Sequence, residues 1–431
     1  MVMKVFKADN SKKGVLVEKI QSDNSHSLEI FLMIFLASLS YTLSSNLGNT
    51  SLRIAYSVLV YGSLLIMLKV YLSPENRQKL LHDKKYSYYF ILLFLFAVCN
   101  SIRDYSNPNF SLVTLINNSR ALPCLIPVLG LIIGYNTNSL KAIEKAVYGL
   151  VITFCLYVAY VVVNEPSAPK IFTICILPFA VLNLTKGKYK ILTVLLFAIA
   201  AWHSVLVDYR ALLLRMIFFT AFFISLNLFR KSNFLKCVTV TIALIGVYLF
   251  LTDISGFLEY FASETNASAS LSSDTRTFLY TEVFDDLSPV QQVTGKGFLG
   301  TYFSQVFLGF QSMAGYAEAD SFNRFSVEVG FLELLLKGGY IFVALYTLPI
   351  IYVAWKGLRI KDASFKLEFN ICIYLLTEII IFFFENSPSY HIHFFLLFFF
   401  TGYVYNQLKL REEVAMAYKP AKPRRTFNPN A

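Results

Sequence analysis

Charged residues are scarce in this chain. Asp, Glu, Lys and Arg make up only 15% of its 431 residues, whereas hydrophobic residues make up 56%. A soluble domain has about 25% charged residues, so this composition excludes an ordinary soluble protein. Apolar runs of roughly 17–22 residues recur along the chain, and each can cross ~30 Å of hydrocarbon. The sequence therefore predicts an all-α polytopic membrane protein.

Closely spaced cysteine pairs are also missing. No two of the six cysteines form a Cys-x-x-Cys motif, and each lies in or at the edge of an apolar run, at Cys99, Cys124, Cys155, Cys175, Cys237 and Cys372. Isolated cysteines in apolar sequence behave as small buried hydrophobic residues. We therefore expect neither a disulfide bond nor a metal site built from cysteine.

About twelve transmembrane helices can be placed along the sequence. The first apolar run, Leu28 to Leu43, lacks an obvious small-residue cleavage site, so we interpret it as a retained helix and not as a signal peptide. The predicted spans are 27–45, 52–72, 87–102, 118–136, 147–163, 170–184, 190–207, 210–229, 236–253, 328–355, 368–384 and 390–407. The predicted regions are a cytoplasmic N-terminal tail, nine helices, a large periplasmic loop, three more helices and a basic cytoplasmic C-terminal tail, with bounds 1–26, 27–253, 254–326, 327–407 and 408–431.

Basic residues are divided unevenly between the two sides of these predicted spans. With the N-terminus in the cytoplasm, 27 of the 38 lysine and arginine residues lie on the cytoplasmic side and seven on the other side. This asymmetry follows the positive-inside rule and predicts that both termini are cytoplasmic. It also accounts for the net charge of +11, which would face anionic lipid. Because no soluble basic domain is left, we expect no nucleic-acid partner.

The large predicted loop differs from every other connection in length and in charge. Acidic residues outnumber basic ones in it, and long loops in compact proteins are usually functional. Its segment "TRTFLYTEVFDDL" has helical spacing. The segment "TGKGFLGTYF" is predicted to turn at Gly295, Gly297 and Gly300, where the backbone can approach a ligand closely. A helix is predicted to begin at Ser321 and to be interrupted at Gly338–Gly339.

Three charged residues lie in the otherwise apolar stretch "WHSVLVDYRALLLRMIFF", namely Asp208, Arg210 and Arg215. A charge at the centre of a lipid-embedded helix costs roughly 2.5–3.5 kcal/mol, so each of them needs an explanation. Arg210 could lift its guanidinium into the headgroups, or it could clamp a phosphate or pyrophosphate through its planar donors. Arg215 is expected to pair with a nearby carboxylate or carbonyl. His203 is interpreted as a core histidine whose ring nitrogens have hydrogen-bond partners.

The large predicted loop contains further candidate functional residues. Arg276 and Tyr280 are four residues apart and would share one helix face, either on a solvated loop helix or toward a ligand. Glu318 and Asp320 form a carboxylate pair. Asp320 could cap the following helix, or the pair could bind a divalent metal, although no third ligand is evident.

The last outside connection, "FFFENSPSYHIHFF", contains His391 and His393. Two histidines two residues apart diverge on a helix, so this pair does not indicate a metal site. Glu385, at the outer end of its predicted span, is expected to come within reach of the arginines.

Together these motifs resemble the bacterial O-antigen polymerase and O-antigen ligase superfamily. The chain has a charged "DYRALLL" turn, one large outside loop, an Arg-led "RTFLYTEVF" helix, a "GKGFLGTYF" turn and the run "DSFNRFSVEVGFLELLLKGGYIFVAL", in that order, across about 202–386. Tyr280 stands where the family tends to have a tryptophan. Asp320–Ser321 stands where ligases tend to have a His-Asn pair, and the missing histidine favours a polymerase.

The resemblance implies a membrane glycosyltransferase of the bacterial inner membrane with a GT-C-like architecture. Such an enzyme would join oligosaccharide repeat units carried on undecaprenyl pyrophosphate at the periplasmic face, with no metal or other cofactor. Its partners would be the lipid-linked donor and acceptor glycans, the bilayer, a chain-length regulator and a flippase.

This reaction needs cationic donors on the leaving pyrophosphate and a carboxylate that takes the acceptor proton. We assign the first role to Arg210 and Arg276 and the second to Asp320 or Glu318. Two aromatic rings, those of Tyr280 and Tyr302, are predicted to stack on sugars. The full predicted set of substrate-binding residues is Asp208, Asp274, Tyr280, Lys296, Tyr302, Arg120, Arg324 and Glu385.

Two other functions stay open at this point. The first is an O-antigen ligase that transfers finished chain to lipid A core. The second is a flippase or transporter that moves the lipid-linked unit without bond chemistry. Transporters of that kind usually show two related halves with paired broken helices, and no internal repeat is visible here, which favours the enzyme.

Overall fold

A computed structural model describes residues 27–43, 50–74, 78, 83–106, 110–136, 140–164, 181, 187–206, 210–252, 276–304, 323–385 and 388–417. The structure is 82% helical, which confirms the all-α prediction for the described part of the chain. In the first half, a 3₁₀ segment at Leu122–Leu129 separates two short helices. The helices of this half are α1 (Ser27–Leu43), α2 (Thr50–Tyr71), α3 (Lys84–Tyr105), α4 (Leu112–Asn117), α5 (Gly130–Asn136), α6 (Leu140–Asn164), α7 (Lys188–Leu206), α8 (Arg210–Leu228) and α9 (Asn233–Thr252).

The second half combines short loop elements with three long helices. Its two strands pair antiparallel, with Tyr302 opposite Arg324. A 3₁₀ turn at Ala363–Phe365 connects the first two long helices. The elements are α10 (Arg276–Asp286), α11 (Pro289–Thr294), β1 (Tyr302–Phe303), β2 (Asn323–Arg324), α12 (Gly330–Leu358), α13 (Lys366–Ile381) and α14 (Ile392–Ala417).

Helices occupy ten of the twelve predicted spans. The span predicted at 118–136 is instead a 3₁₀ segment followed by the short α5, because Pro123 and Pro127 lack the amide hydrogens that a regular α-helix would use. The span predicted at 170–184 lies outside the described residues except for Val181. The helix expected to begin at Ser321 begins at Gly330, since the strand pair precedes it.

Two described helices, α3 and α12, are long and apolar enough to cross a membrane. Large apolar side chains are exposed on α3, as at Phe94 (67%), and on α7, as at Ile191 (65%). Such faces need an apolar surrounding or a partner. The prediction of buried cysteines is confirmed for Cys124 and Cys372. It is wrong for Cys99 and Cys237, which lie exposed on α3 and α9.

The core of the molecule is built where α5 packs on α14. Gly134 and Gly402 let the two backbones approach closely. A Cβ at Gly134 would lie 1.9 Å from the Phe399 carbonyl oxygen, and one at Gly402 would lie 2.1 Å from that of Leu131. Small residues at helix contacts allow this close packing in membrane proteins.

The long helices run between two ends of the molecule, which differ in the residues that lie there. At one end, which we call the loop end, α3 finishes and α12 starts beside residues 295–300. At the other, which we call the basic end, the Lys409 ammonium lies 3.0 Å from the Asp83 carboxylate and donates to the hydroxyl of Tyr135. Asp83 also caps the first turn of α3, so the two ends are the opposite ends of that helix.

Candidate functional site

A kink in α12 organises the loop end. Gly339 has φ +63 and ψ −165, so the helix is interrupted where the Gly-Gly pair predicted it. The carbonyl oxygens released by the kink accept hydrogen bonds from the loop: Lys296 N donates to Leu336 O at 2.8 Å and Gly297 N donates to Lys337 O at 3.0 Å. The turn after α11 is therefore docked into the break of α12.

The last turn of α3 holds the other side of this turn. The Asp104 carboxylate is fully buried and accepts hydrogen bonds from Phe298 N (3.0 Å) and Leu299 N (2.9 Å). Gly297 has φ +100, and a Cβ there would lie 2.3 Å from Asp104 Oδ1. Arg103 donates to the carbonyl oxygens that precede the turn, including that of Gly295 at 2.8 Å. Glycine is thus required at position 297, because φ is positive there and because Asp104 lies too close to leave room for a Cβ.

Two charged side chains of α12 are buried beneath the docked turn. Lys337 is 1% exposed and its Nζ donates to Gly300 O (2.8 Å) and Phe325 O (2.5 Å). Glu333 is 2% exposed and its Oε2 accepts from Val327 N at 2.7 Å. Its Oε1 is buried and has no hydrogen-bond partner among the described residues. A buried carboxylate oxygen without a hydrogen-bond partner is costly, so Glu333 is a candidate for contact with a ligand or a proton.

Two arginines lie within electrostatic range of Glu333. Arg324 donates to the Tyr302 hydroxyl at 3.3 Å and pairs with Glu328 at 3.2 Å. Arg120 follows α4, and no hydrogen-bond partner of its guanidinium is found in the described part of the chain; its charge acts on Glu333. We give the name kink cluster to five charged side chains. Asp104 and Lys337 contact the docked turn, Glu333 is buried beside Lys337 on α12, and the charges of Arg120 and Arg324 act on Glu333.

Tyr302 supports this cluster and does not offer its ring to a ligand. Its side chain is fully buried in a small core with Leu279 and Val329, so the predicted sugar stacking at Tyr302 is wrong for this arrangement. Burial raises the pKa of its hydroxyl to about 12, against the lowering effect of Arg324. The neutral hydroxyl therefore stays available as an acceptor for Arg324.

The other predicted residues that are described lie around the same end. Tyr280 donates to Phe383 O at 2.6 Å and stacks on Phe331, and it is half-buried. Lys296 pairs with Asp286 at 2.5 Å. The backbone carbonyl of Glu385 accepts from the first amide of α12.

Several predicted site residues cannot be placed in this geometry. Arg210 begins α8 and Arg276 begins α10, and only their backbones are described. Four predicted carboxylates lie outside the described residues, namely Asp208, Asp274, Glu318 and Asp320.

A second buried charged group lies deeper, between α8, α13 and the start of α14. Arg215 Nε is 3.6 Å from Glu378 Oε1, and His393 Nε2 is 3.1 Å from Glu378 Oε2. The side chains of all three are at most 4% exposed. The prediction that Arg215 pairs with a carboxylate is confirmed. Among the described residues, no group of three or more His, Cys, Asp or Glu is placed to hold a metal ion.

Sequence reasoning missed three members of the kink cluster, Asp104, Glu333 and Lys337. The signal was present, since each is a charged residue within or at the end of an apolar span. Their meeting could not be read from spacing, because α3 and α12 are far apart in sequence.

No protein family, curated protein or solved structure gave a match to this chain. The likeness to polysaccharide polymerases therefore rests on the sequence motifs.

Proposed function

We propose that this protein is a polysaccharide polymerase that joins oligosaccharide repeat units carried on undecaprenyl pyrophosphate. The observation that supports this most is the kink cluster, in which a buried carboxylate with an unpartnered oxygen lies within electrostatic range of Arg120. Glycosyl transfer from a lipid pyrophosphate needs these two kinds of group: a proton acceptor and a cation on the leaving group.

The reaction can be assigned to these residues step by step. The acceptor hydroxyl oxygen attacks the anomeric carbon of the donor chain, and the bond from that carbon to the pyrophosphate oxygen breaks. Glu333 takes the hydroxyl proton through Oε1. Arg120, whose guanidinium offers a planar donor fork, binds the departing pyrophosphate, on which negative charge develops. Undecaprenyl pyrophosphate leaves.

This assignment changes the predicted roles. Glu333 replaces Asp320 or Glu318 as the proposed base, and Arg120 joins Arg210 and Arg276 as a proposed leaving-group clamp. Lys337 and Asp104 are positioning residues, because their hydrogen bonds hold the docked turn.

We further propose that the chain crosses the bacterial inner membrane about twelve times in a GT-C-like arrangement, with the loop end in the periplasm. Two observations support this. Large apolar side chains are exposed on several helices, as lipid contact requires. Exposed lysines and arginines such as Lys231, Arg359 and Lys361 lie at the basic end, which the positive-inside rule assigns to the cytoplasm. A flippase would supply the units, and a chain-length regulator would act on the product.

Substitutions at Glu333 and Arg120 test the proposed site. The variants are Glu333→Gln, Arg120→Ala and Arg120→Lys, with Glu413→Gln and Arg359→Ala as exposed controls at the basic end. Each is expressed in cells that make the repeat unit and lack their own copy of this protein. A polysaccharide ladder on a gel is read beside an immunoblot of the membrane fraction.

We expect Glu333→Gln and Arg120→Ala to leave single repeat units at normal protein level, a loss of at least about 100-fold in polymer for a missing base. Arg120→Lys should restore little, because an ammonium lacks the planar fork. Long ladders from Glu333→Gln would contradict the assignment. Normal ladders from Arg120→Ala would move the clamp to Arg210 or Arg276.

A further inference from the structure

An apolar groove opens toward the basic end, away from the kink cluster. Its volume is about 320 Å³, and it lies between α3, α12 and α14. The walls are almost wholly apolar or aromatic and include Tyr86, Tyr89, Leu345, Leu348 and Pro349. A groove of this kind suits a hydrocarbon chain.

Proline shapes this groove. Pro349 lies inside α12 and has no amide hydrogen, so the carbonyl oxygen of Leu345 loses its helical partner. The hydroxyl of Tyr89 donates to that oxygen at 3.0 Å. The carbonyl oxygen that the proline leaves without a helical partner is thereby hydrogen-bonded to α3. The surface that remains between the helices is apolar.

A polar cavity of about 340 Å³ lies beside the groove at the basic end. Lys85, Tyr352 and Tyr405 line both cavities, so the two are adjacent. The polar cavity is lined by four lysines and two carboxylates, which gives a net charge of +2; they are Lys84, Lys85, Lys356, Lys409, Asp83 and Glu412.

Two of these lysines are already paired. Lys409 binds Asp83 at 3.0 Å and Lys356 binds Glu412 at 3.1 Å. Lys84 and Lys85 are exposed, and no partner of either ammonium is found within the described residues. They occupy the first turn of α3, where the helix dipole adds further positive potential. The excess positive charge therefore lies at one place, beside the mouth of the apolar groove.

We propose that this groove binds an anionic phospholipid of the cytoplasmic leaflet, with one acyl chain along Leu345, Leu348 and Pro349 and the phosphate at Lys84 and Lys85. An apolar groove that ends in ammonium groups with no partner among the described residues is complementary to that lipid in both parts. The inference rests on the membrane orientation proposed above and not on the glycosyl transfer reaction.

The headgroup is tested by native mass spectrometry of the purified protein with added phosphatidylglycerol or phosphatidylethanolamine. The test variant is Lys84→Gln with Lys85→Gln, and the matched control is Lys231→Gln with Lys361→Gln, two exposed lysines at the same end. We expect the wild type and the control to prefer phosphatidylglycerol. The test variant should bind it about tenfold more weakly, since each surface lysine attracts an anionic lipid. Equal binding by test and control variants would overturn the headgroup assignment.

The part of the groove assigned to the acyl chain is tested separately. Leu348→Trp places an indole in the groove at a side chain that is 58% exposed, and Leu195→Trp makes the same change at a 52% exposed position on α7. We expect Leu348→Trp alone to reduce phosphatidylglycerol binding, and unchanged binding would overturn the proposal. Both sets of variants lie away from the kink cluster. The polysaccharide ladder assay therefore tests the proposed polymerase function separately from the two lipid-binding experiments.

Discussion

At the residue scale, two sites with buried charges differ in how their charges are paired. Arg215, Glu378 and His393 contact one another deep between helices, and none is more than 4% exposed. Glu333, by contrast, keeps its Oε1 without a hydrogen-bond partner in the described structure, and the charge of Arg120 acts on this carboxylate. The three members of the first group pair with one another, whereas Glu333 is the residue to which we assign contact with the substrate.

Arg215→Ala should therefore act through protein stability. Removing one member of a buried ion pair leaves the other charge uncompensated, which costs about 3–5 kcal/mol. We expect a large fall in the melting temperature in detergent and in the amount of protein in the membrane fraction. Lys69→Ala is the control, because Lys69 is 70% exposed in its pair with Glu29 and an exposed pair contributes about 0–1 kcal/mol. Equal melting temperatures for the two variants would contradict this account.

At the scale of elements, the docked turn and the kink of α12 depend on each other. The turn supplies amide hydrogens to the carbonyl oxygens that the kink releases, and Asp104 of α3 accepts the amides that remain. The sequence predicted a helix within 275–287, the glycine turn and the interruption at Gly338–Gly339, because each has a local pattern. It did not predict that the three meet, since hydrogen bonds between distant segments leave no local pattern.

Gly339→Ala should separate the turn from the kink. Its φ of +63 with ψ −165 lies in a region that is essentially restricted to glycine and costs other residues about 1–3 kcal/mol. The new Cβ would also lie 2.2 Å from the Val293 carbonyl carbon. We expect a lower melting temperature, faster proteolysis within 276–304 and reduced polymer length. Gly62→Ala, where the nearest atom is 3.9 Å away, should be neutral or stabilising. Unchanged proteolysis in Gly339→Ala would show that the docking does not need this glycine.

At the scale of the whole molecule, apolar run length predicted most helices correctly. It failed at 118–136, where hydrophobicity is high enough for a span but two prolines prevent a continuous α-helix. It also placed the end of the last helix near 407, whereas α14 continues to Ala417 with Lys409 and Arg411 on its final turns. Hydrophobicity reports the solvent that a segment prefers, and it does not report backbone breaks or helices that extend beyond the apolar layer.

The proposed orientation can be checked by cysteine labelling in intact cells. Asp285→Cys lies exposed on α10 at the loop end, and Ser364→Cys lies exposed beside Asp362 at the basic end. In a background with Cys99 and Cys237 replaced by serine, a membrane-impermeant maleimide added from the periplasmic side should label Asp285→Cys alone. Labelling of Ser364→Cys alone would invert the topology and place the kink cluster in the cytoplasm.

The most direct test of the central claim is a reconstituted reaction. Purified protein in lipid vesicles is given undecaprenyl-pyrophosphate-linked repeat units, and both chain length and free undecaprenyl pyrophosphate are measured by mass spectrometry. A polymerase should lengthen the lipid-linked chain by whole repeat units and release one undecaprenyl pyrophosphate for each new linkage, without lipid A core. Units that stay single and release no undecaprenyl pyrophosphate, or chains that move only when lipid A core is added, would contradict the account.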